Sequence, residues 1–565
     1  MKLNNLQTGS LIIDRLIELG AKEFVISPGS RSTPLTVAAA RHPVAKTTVH
    51  HDERGAAYYA LGISRATGIP AILICTSGTA VANYYPAVIE ASMDNIPMIV
   101  LSADRPPELI DVGANQAIFQ DQIFGIYPRL SMTLPPPDND IDPLQVLSFT
   151  DDIFRTSLEL RPGPVHLNCQ FREPLLPEYN AIQVPEMPSL PPPEINQVHL
   201  GLDTLEKLKL KVQASTRVLI IAGRALTTGD GAEILHLARN MKVPVFPDVQ
   251  STLRFVRDAH VINHYDLTLL RDGVKHLKPE LVLHFGGPFT SKRLLSFMND
   301  PQIEYFTIRP TSETMDPNHQ VSSSILSEVD KFCQAFNISR PRQDTSYLKE
   351  WQEEEKAAWK HTHKHLKPLS DLSEPAVSYT LSQSIPDNHA LLLANSMSIR
   401  EMDMFAEKGH FHGQVYANRG ASGIDGLLAT AAGISYGGDQ PITVLVGDLA
   451  FLHDLSSLAF IRNAPHPMVL VVINNNGGGI FEFLPVKQED DVFETFFGTP
   501  HNLHLDSAAK MFEIEYDRPD NMEAFARSYA VALKKSTSTL IEVITDRSTN
   551  LQFHQTIYKG IRESG

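Results

Sequence analysis

Apolar positions at Leu11, Ile12, Leu16 and Leu19 recur at helical spacing and stop at Gly20, and the short β-rich run Phe24-Val25-Ile26 follows. The runs Ala71-Ile72-Leu73-Ile74 and Pro97-Met98-Ile99-Val100-Leu101 are continuously apolar and end at small or charged residues. A strand with no polar alternation is one covered on both faces, so these runs predict buried parallel strands between helices. An α/β domain is expected up to about residue 180. The prolines Pro185, Pro188, Pro191, Pro192 and Pro193 lack the N–H groups that helix and sheet need, which places a linker there.

A second set of runs begins near residue 195, with Val218-Leu219-Ile220-Ile221, Pro244-Val245-Phe246 and Leu281-Val282-Leu283-His284-Phe285 alternating with helical patterns. Ala222-Gly223-Arg224 after the first of these lacks the full glycine signature of a dinucleotide site. A polar segment at Pro341 to Thr345 precedes a charged helix from Tyr347 to Leu366, on which His361 and His365 read as part of a solvated face. Strands near 390–394, 442–446 and 468–473 then form a third unit with the rhythm of the first. The expected fold class is α/β, with three parallel-sheet domains at 1–184, 195–340 and 347–565.

Composition narrows the function. With 42% hydrophobic and 20% charged residues the chain reads as an ordinary globular protein, and a formal charge of −16 opposes a nucleic-acid partner. Cys75, Cys169 and Cys333 are widely spaced and form no C-x-x-C pair, which fits a reducing cytoplasm. The first residues lack the apolar core of a signal peptide, and no apolar run reaches the roughly 18 residues of a membrane span.

The chemistry concentrates in Val444-Leu445-Val446-Gly447-Asp448 and Val471-Val472-Ile473-Asn474-Asn475-Asn476-Gly477-Gly478-Gly479. Asp448 and Asn475 each follow a buried run and stand 27 positions apart, the length of one strand-helix-strand crossover. Both side chains are then expected at the carboxyl edge of neighbouring parallel strands, where open α/β sheets bind ligands. A carboxylate, an amide oxygen and a nearby backbone carbonyl, assigned to Gly477, form the hard-oxygen set that Mg²⁺ or Mn²⁺ takes alongside a diphosphate. The glycines after Asn475 allow backbone to approach phosphate closely. Read singly, each half would be a simple turn.

This pair resembles the cofactor motif of thiamine-diphosphate enzymes, which reads Gly-Asp, about two dozen residues, then Asn-Asn. Leu449 stands where most members have glycine. The resemblance implies pyrimidine-binding, central and diphosphate-binding domains in that order, with cofactor contacts at Gly447, Asp448, Asn475, Gly477 and Gly478. It implies that Glu53, in His50-His51-Asp52-Glu53-Arg54-Gly55, hydrogen-bonds the aminopyrimidine ring and drives its proton transfer. It also implies that Ile424 wedges between the cofactor rings.

Arginines on loops after predicted strands suit carboxylates, because the planar guanidinium binds them with two parallel hydrogen bonds. They are Arg31 in Ser-Pro-Gly-Ser-Arg-Ser, Arg105 in Arg-Pro-Pro-Glu-Leu, Arg293 after Lys292, Arg400, and Arg419 in Asn-Arg-Gly-Ala-Ser-Gly-Ile-Asp-Gly. With Gly-Ala-Asn-Gln-Ala-Ile (113–118), these segments resemble the 2-succinyl-5-enolpyruvyl-6-hydroxy-3-cyclohexene-1-carboxylate synthase family of menaquinone biosynthesis over nearly the whole chain. That family decarboxylates 2-oxoglutarate and adds the resulting carbanion to isochorismate, and both substrates are dianions. The resemblance implies substrate contacts from Ser30, Arg31, Arg105, Gln116, Lys292, Arg293, Ser396, Arg400 and Arg419, with Ile480 and Phe481 as an apolar wall. It further implies a homodimer or homotetramer with active sites between subunits. Two alternatives stay open: another thiamine-diphosphate 2-oxo-acid decarboxylase or acetohydroxyacid-type synthase, and a catalytically silent cofactor-binding regulatory protein.

Overall fold

In the computed structural model the helical pattern before Gly20 becomes the helix Asn5–Glu18. Asn4 caps it by accepting the Gln7 N–H, while the Gln7 side chain accepts the Asn4 N–H. The structure describes residues 3–137, 141–176, 191–193, 201–336, 344–367, 370–409 and 411–563. Pro185, Pro188 and positions 341–343 of the expected linkers lie outside the described residues.

Three parallel sheets follow the chain. The first contains β1 (Glu23–Ile26), β2 (Lys46–Val49), β3 (Ala71–Cys75), β4 (Met98–Asp104), β5 (Leu130–Leu134) and β6 (Pro164–Gln170), in the order β2-β1-β3-β4-β6-β5. The second contains β7 (Val218–Ala222), β8 (Val245–Pro247), β9 (Leu281–Phe285), β10 (Glu304–Arg309) and β11 (Val321–Leu326), in the order β11-β10-β9-β7-β8. The third contains β12 (Ala390–Leu393), β13 (Val415–Tyr416), β14 (Ile442–Gly447), β15 (Met468–Asn474), β16 (Glu515–Asp517) and β17 (Thr539–Ile544), in the order β13-β12-β14-β15-β17-β16. Counted from its own first strand, the third sheet repeats the order of the first. The shared rhythm of the two segments is thus a shared topology.

The chain divides into two compact units. One comprises Met1–Gln197 with Asn418–Gln440 and Leu452–His466; the other comprises Val198–Ala417 with Pro441–Phe451 and Pro467–Gly565. In the first unit Ile12, Leu16, Phe24, Ile72, Leu101 and Leu167 form the core around the first sheet. The helix Leu427–Gly437 belongs to this unit and packs on the helix Glu53–Thr67. In the second unit the second sheet buries Ile220, Val245, Leu283, Phe285 and Ile308, and the third buries Leu391, Leu393, Leu445, Val471 and Ile541.

Two central strands escape the hydrophobic pattern because they bury polar side chains. In β6, His166 faces Ser102 at 2.7 Å and Asn168 accepts the Ser102 hydroxyl at 2.8 Å. In β17, Glu542 is fully buried and accepts the Asn474 amide at 2.6 Å. The charged helix runs Ser346–Leu366, and His361 and His365 lie ring to ring at 4.8 Å on it.

Candidate active site

In the second unit β14 and β15 pair in parallel with Gly447 opposite Ile473, which brings Asp448 and Asn475 to adjacent strand tips. The Asp448 carboxylate is buried and accepts the Gly477 N–H at 2.9 Å and the Leu449 N–H at 2.6 Å. His501 completes its surroundings at 3.2 Å. The Leu503 N–H donates to His501 Nδ1 at 3.0 Å, so the neutral ring carries its proton on Nε2 and donates to Asp448. Burial raises the Asp448 pKa, and the hydrogen bonds from Gly477 and His501 oppose that rise.

Asn475 shows why a cation fits here. Its Nδ2 donates to Glu374 Oε1 at 2.8 Å, which leaves Oδ1 buried and, among the described residues, without a donor. The Asp448 carboxylate, the Asn475 amide oxygen and the Gly477 carbonyl are oxygens of the hard kind that could hold Mg²⁺ or Mn²⁺. Gly477 has φ of +136°, and a Cβ there would stand 1.9 Å from the Gly498 carbonyl oxygen, so only glycine fits the loop. Glu374 is the first residue of the helix Glu374–Ser384 and also accepts the Thr545 hydroxyl at 3.3 Å. Burial, then the neighbouring Glu401 carboxylate, pushes Glu374 up to about 8.

In the same unit a cavity of about 320 Å³ is lined by Lys292, Arg293, Arg400 and Ile480, which come from three distant segments. Asp266, Asp403 and Tyr558 share its wall. Arg293 forms an ion pair with Asp266 and lies 4.5 Å from the Tyr558 ring centroid. Its charge is therefore matched before any substrate arrives. Among the described residues Lys292 and Arg400 form no ion pair, and burial lowers the Arg400 pKa. The Arg400 guanidinium donates to the Ser396 carbonyl, and Ser396 has φ of +71°, a strained conformation for a residue with a side chain. Ser396 and Phe481 do not line this cavity. Phe481 packs on Phe497 with ring centroids 5.5 Å apart.

The first unit carries Ser30 and Arg31 on the loop after β1, and Arg105 and Gln116 on the segment after β4. Arg31 is buried and donates to the Phe171 carbonyl at 3.0 Å and to Glu173 at 3.2 Å. Burial, then the neighbouring Arg105 cation, lowers the Arg31 pKa, as expected where two guanidinium groups share one locality. Arg105 donates to the Asn115 carbonyl at 3.0 Å, and the next residue, Gln116, donates to the Ser77 carbonyl at 2.9 Å. Ser30 is exposed on the same loop as Arg31.

Glu53 opens the helix Glu53–Thr67, where Asp52 caps the first N–H groups. The Glu53 carboxylate is half-buried and, among the described residues, has no hydrogen-bond or ion-pair partner. A hydrogen-bonding ring nitrogen would satisfy it. Arg419 and Ile424 lie in the segment that leads into the helix Leu427–Gly437, and Ile424 is 38% exposed. Glu90 holds that segment by accepting the Gly420 N–H at 2.8 Å and the Ala421 N–H at 2.6 Å. A lone acid in the apolar helix Tyr85–Met93 is the sequence signal that could have found Glu90. Glu374, His501 and Tyr558 carry no such signal.

Three family descriptions match the chain. "Thiamine pyrophosphate enzyme, N-terminal TPP binding domain" matches residues 6–124, "Middle domain of thiamine pyrophosphate" residues 197–393, and "Thiamine pyrophosphate enzyme, C-terminal TPP binding domain" residues 398–543. A solved benzoylformate decarboxylase from Polynucleobacter necessarius is similar in fold, with a TM-score of 0.73, 15% identity, and 96% of this chain and 98% of that chain covered. Fold and sequence thus define the class: three parallel-sheet α/β domains of the thiamine-diphosphate (thiamine pyrophosphate) decarboxylase type.

Full-length relatives narrow the class further. Proteins named 2-succinyl-5-enolpyruvyl-6-hydroxy-3-cyclohexene-1-carboxylate synthase from Salinibacter ruber and Chlorobium phaeobacteroides are 39% and 42% identical to this chain. Each alignment covers 98% of this chain, and 96% and 97% of the respective relative. The chain belongs to that synthase family.

Proposed function

We propose that this chain catalyses the thiamine-diphosphate-dependent decarboxylation of 2-oxoglutarate and the conjugate addition of the succinyl carbanion to isochorismate. The products are CO₂ and 2-succinyl-5-enolpyruvyl-6-hydroxy-3-cyclohexene-1-carboxylate, in menaquinone biosynthesis. The observation that carries this reading is a hard-oxygen set at Asp448 and Asn475 in one compact unit with a cavity lined by cationic side chains. Both belong to a chain whose alignments with the named synthases span 98% of its length.

Thiamine diphosphate, when bound, supplies the carbon nucleophile that the 2-oxo acid requires. Asp448, Asn475 and the Gly477 carbonyl hold Mg²⁺ or Mn²⁺, and Gly447 and Gly478 let backbone approach the diphosphate. Glu53 hydrogen-bonds the aminopyrimidine and holds a proton at its carboxylate oxygen. Ile424 would pack against the cofactor. Ser30, Arg31, Arg105, Gln116, Lys292, Arg293, Ser396, Arg400 and Arg419 bind the carboxylates of the two dianions. Ile480 and Phe481 keep water from the reacting carbon.

The proposal assigns pyrimidine binding to residues 1–184, a central domain to 195–340 and diphosphate binding to 347–565. It includes a homodimer or homotetramer with active sites between subunits, in the cytoplasm. No helix among the described residues is long and apolar enough to cross a membrane. The presence of Glu53, Asp448 and Asn475 together weighs against a silent binding protein.

The test is a two-substrate assay on the purified protein with Mg²⁺ and thiamine diphosphate. CO₂ release from 2-oxoglutarate coupled to isochorismate consumption is the expected result. Turnover of pyruvate with no requirement for isochorismate would overturn the proposal in favour of another 2-oxo-acid decarboxylase.

A further inference from the structure

Glu374 is a buried carboxylate that none of the roles above uses. As the first residue of the helix Glu374–Ser384 it could serve the helix dipole, which favours an acid there by about 0.3–1 kcal/mol at the surface. That account fails on two observations. The helix is already capped, since the Ser373 hydroxyl accepts the Ala376 N–H at 3.2 Å. Glu374 is also only 4% exposed, and a surface acid would gain the dipole energy without the cost of burial. Among the described residues no Lys, Arg or His forms an ion pair with it, and its charged neighbours are the acids Glu401 and Asp448. Such a carboxylate needs a reason to stay.

The reason lies in its partner. A side-chain amide can exchange its oxygen and nitrogen by a half-turn, and a cation accepts only the oxygen. Asn475 Nδ2 donates to Glu374 Oε1 at 2.8 Å, and the Thr545 hydroxyl donates to the same oxygen at 3.3 Å, so Oε1 acts as an acceptor whether or not the other oxygen carries a proton. A half-turned amide would set its oxygen against that acceptor, so the half-turn is disfavoured, and Asn475 Oδ1 faces away from Glu374 with no donor among the described residues. We infer that Glu374 is a positioning residue that fixes which end of the Asn475 amide is presented to the divalent cation. The inference rests on the cofactor site proposed above. It extends the site by a helix start 101 residues away in sequence.

Mn²⁺ binding separates this role from mere packing. It is measured by loss of the free-ion paramagnetic resonance signal at saturating thiamine diphosphate, with circular dichroism to establish folding. Glu374→Met replaces the carboxyl group with an apolar side chain of similar length, and Glu374→Asp withdraws it by one methylene while keeping the carboxyl group. Both are expected to weaken Mn²⁺ binding about 10- to 100-fold, the usual consequence of losing a partner that orients a ligand. Glu374→Gln still offers an oxygen to Asn475 Nδ2 and is expected to bind Mn²⁺ within about threefold of wild type. If Glu374→Met does not fold, Glu374→Asp carries the test. Wild-type affinity in Glu374→Met or Glu374→Asp would overturn the inference, as would a Glu374→Gln variant as weak as Glu374→Asp. A wild-type protein that binds no Mn²⁺ with the cofactor would instead bring down the site reading, and this inference with it.

Discussion

Gly62 and Gly433 face each other where the helices Glu53–Thr67 and Leu427–Gly437 cross. A Cβ on Gly62 would stand 2.2 Å from the Thr430 carbonyl oxygen and 2.9 Å from the Gly433 Cα. A Cβ on Gly433 would stand 2.1 Å from the Tyr59 carbonyl oxygen. Backbone thus meets backbone, and the crossing ties the helix that begins with Glu53 to the one that follows Arg419 and Ile424. Gly433→Ala is expected to lower stability by about 1–3 kcal/mol, because overpacking here must displace main chain rather than a flexible side chain. Urea denaturation of both proteins checks this, and an unchanged midpoint would show that the crossing yields easily.

Glu53→Gln should separate cofactor binding from proton transfer. The variant retains a hydrogen-bonding side chain at the start of its helix, so Mn²⁺ and thiamine diphosphate are expected to bind as in wild type. Exchange of the thiazolium C2 proton and CO₂ release from 2-oxoglutarate are both expected to fall about 100- to 10,000-fold, the span of a lost acid–base group. Proton exchange is followed by magnetic resonance after quenching in acid. Unchanged exchange would remove Glu53 from its assigned role.

What the sequence disclosed and what it withheld have a common physical basis. Asp448 and Asn475 stand out because each directly follows a buried strand, and the 27 positions from one to the other match one crossover. Glu374, His501 and Tyr558 come from a helix start, a loop and a helix interior, where nothing periodic marks them. Glu374 meets Asn475 only through tertiary structure. The strands β6 and β17 were hidden by the same buried polarity that equips the fold, since His166, Asn168 and Glu542 interrupt their apolar runs. The arginines were legible as a group, but the pairing of Arg293 with Asp266 was not, because Asp266 lies in the short helix Tyr265–Thr268.

Arg400 is the cation in the 320 Å³ cavity whose removal should be felt most directly in substrate binding. It is half-buried and, among the described residues, has no ion-pair partner, so its charge is free to meet a carboxylate. A charge-assisted hydrogen bond contributes about 1.5–3 kcal/mol, and Arg400→Gln is expected to cause a rise of about 10- to 100-fold in KM for whichever substrate it holds. Arg527→Gln, at an exposed pair with Glu523, is the control and should leave both KM values unchanged. Steady-state kinetics with each substrate varied in turn would assign the carboxylate that Arg400 meets. An unchanged KM for both would exclude contact.

Asp454 gives the fold a pH dependence with a definite sign. It is fully buried and accepts the Leu428 N–H at 2.7 Å and the Ala429 N–H at 3.0 Å at the start of the helix Leu427–Gly437. Burial pushes its pKa up from the ordinary 3.8 to about 6, against the lowering effect of those hydrogen bonds and of Ser457. Between these values the native state holds more protons than the unfolded state, so this group's contribution falls as pH rises from about 4 to about 6. The fall amounts to about 3 kcal/mol, an order-of-magnitude figure from the size of the shift. Asp454→Asn keeps an oxygen for the two N–H groups and cannot ionise, so the variant should gain stability relative to wild type as pH rises through that window. Denaturation midpoints of the two proteins from pH 4 to pH 7 check this. A difference that stays flat, or that moves in favour of wild type with rising pH, would mean that Asp454 ionises at least as readily in the folded chain as in the unfolded one.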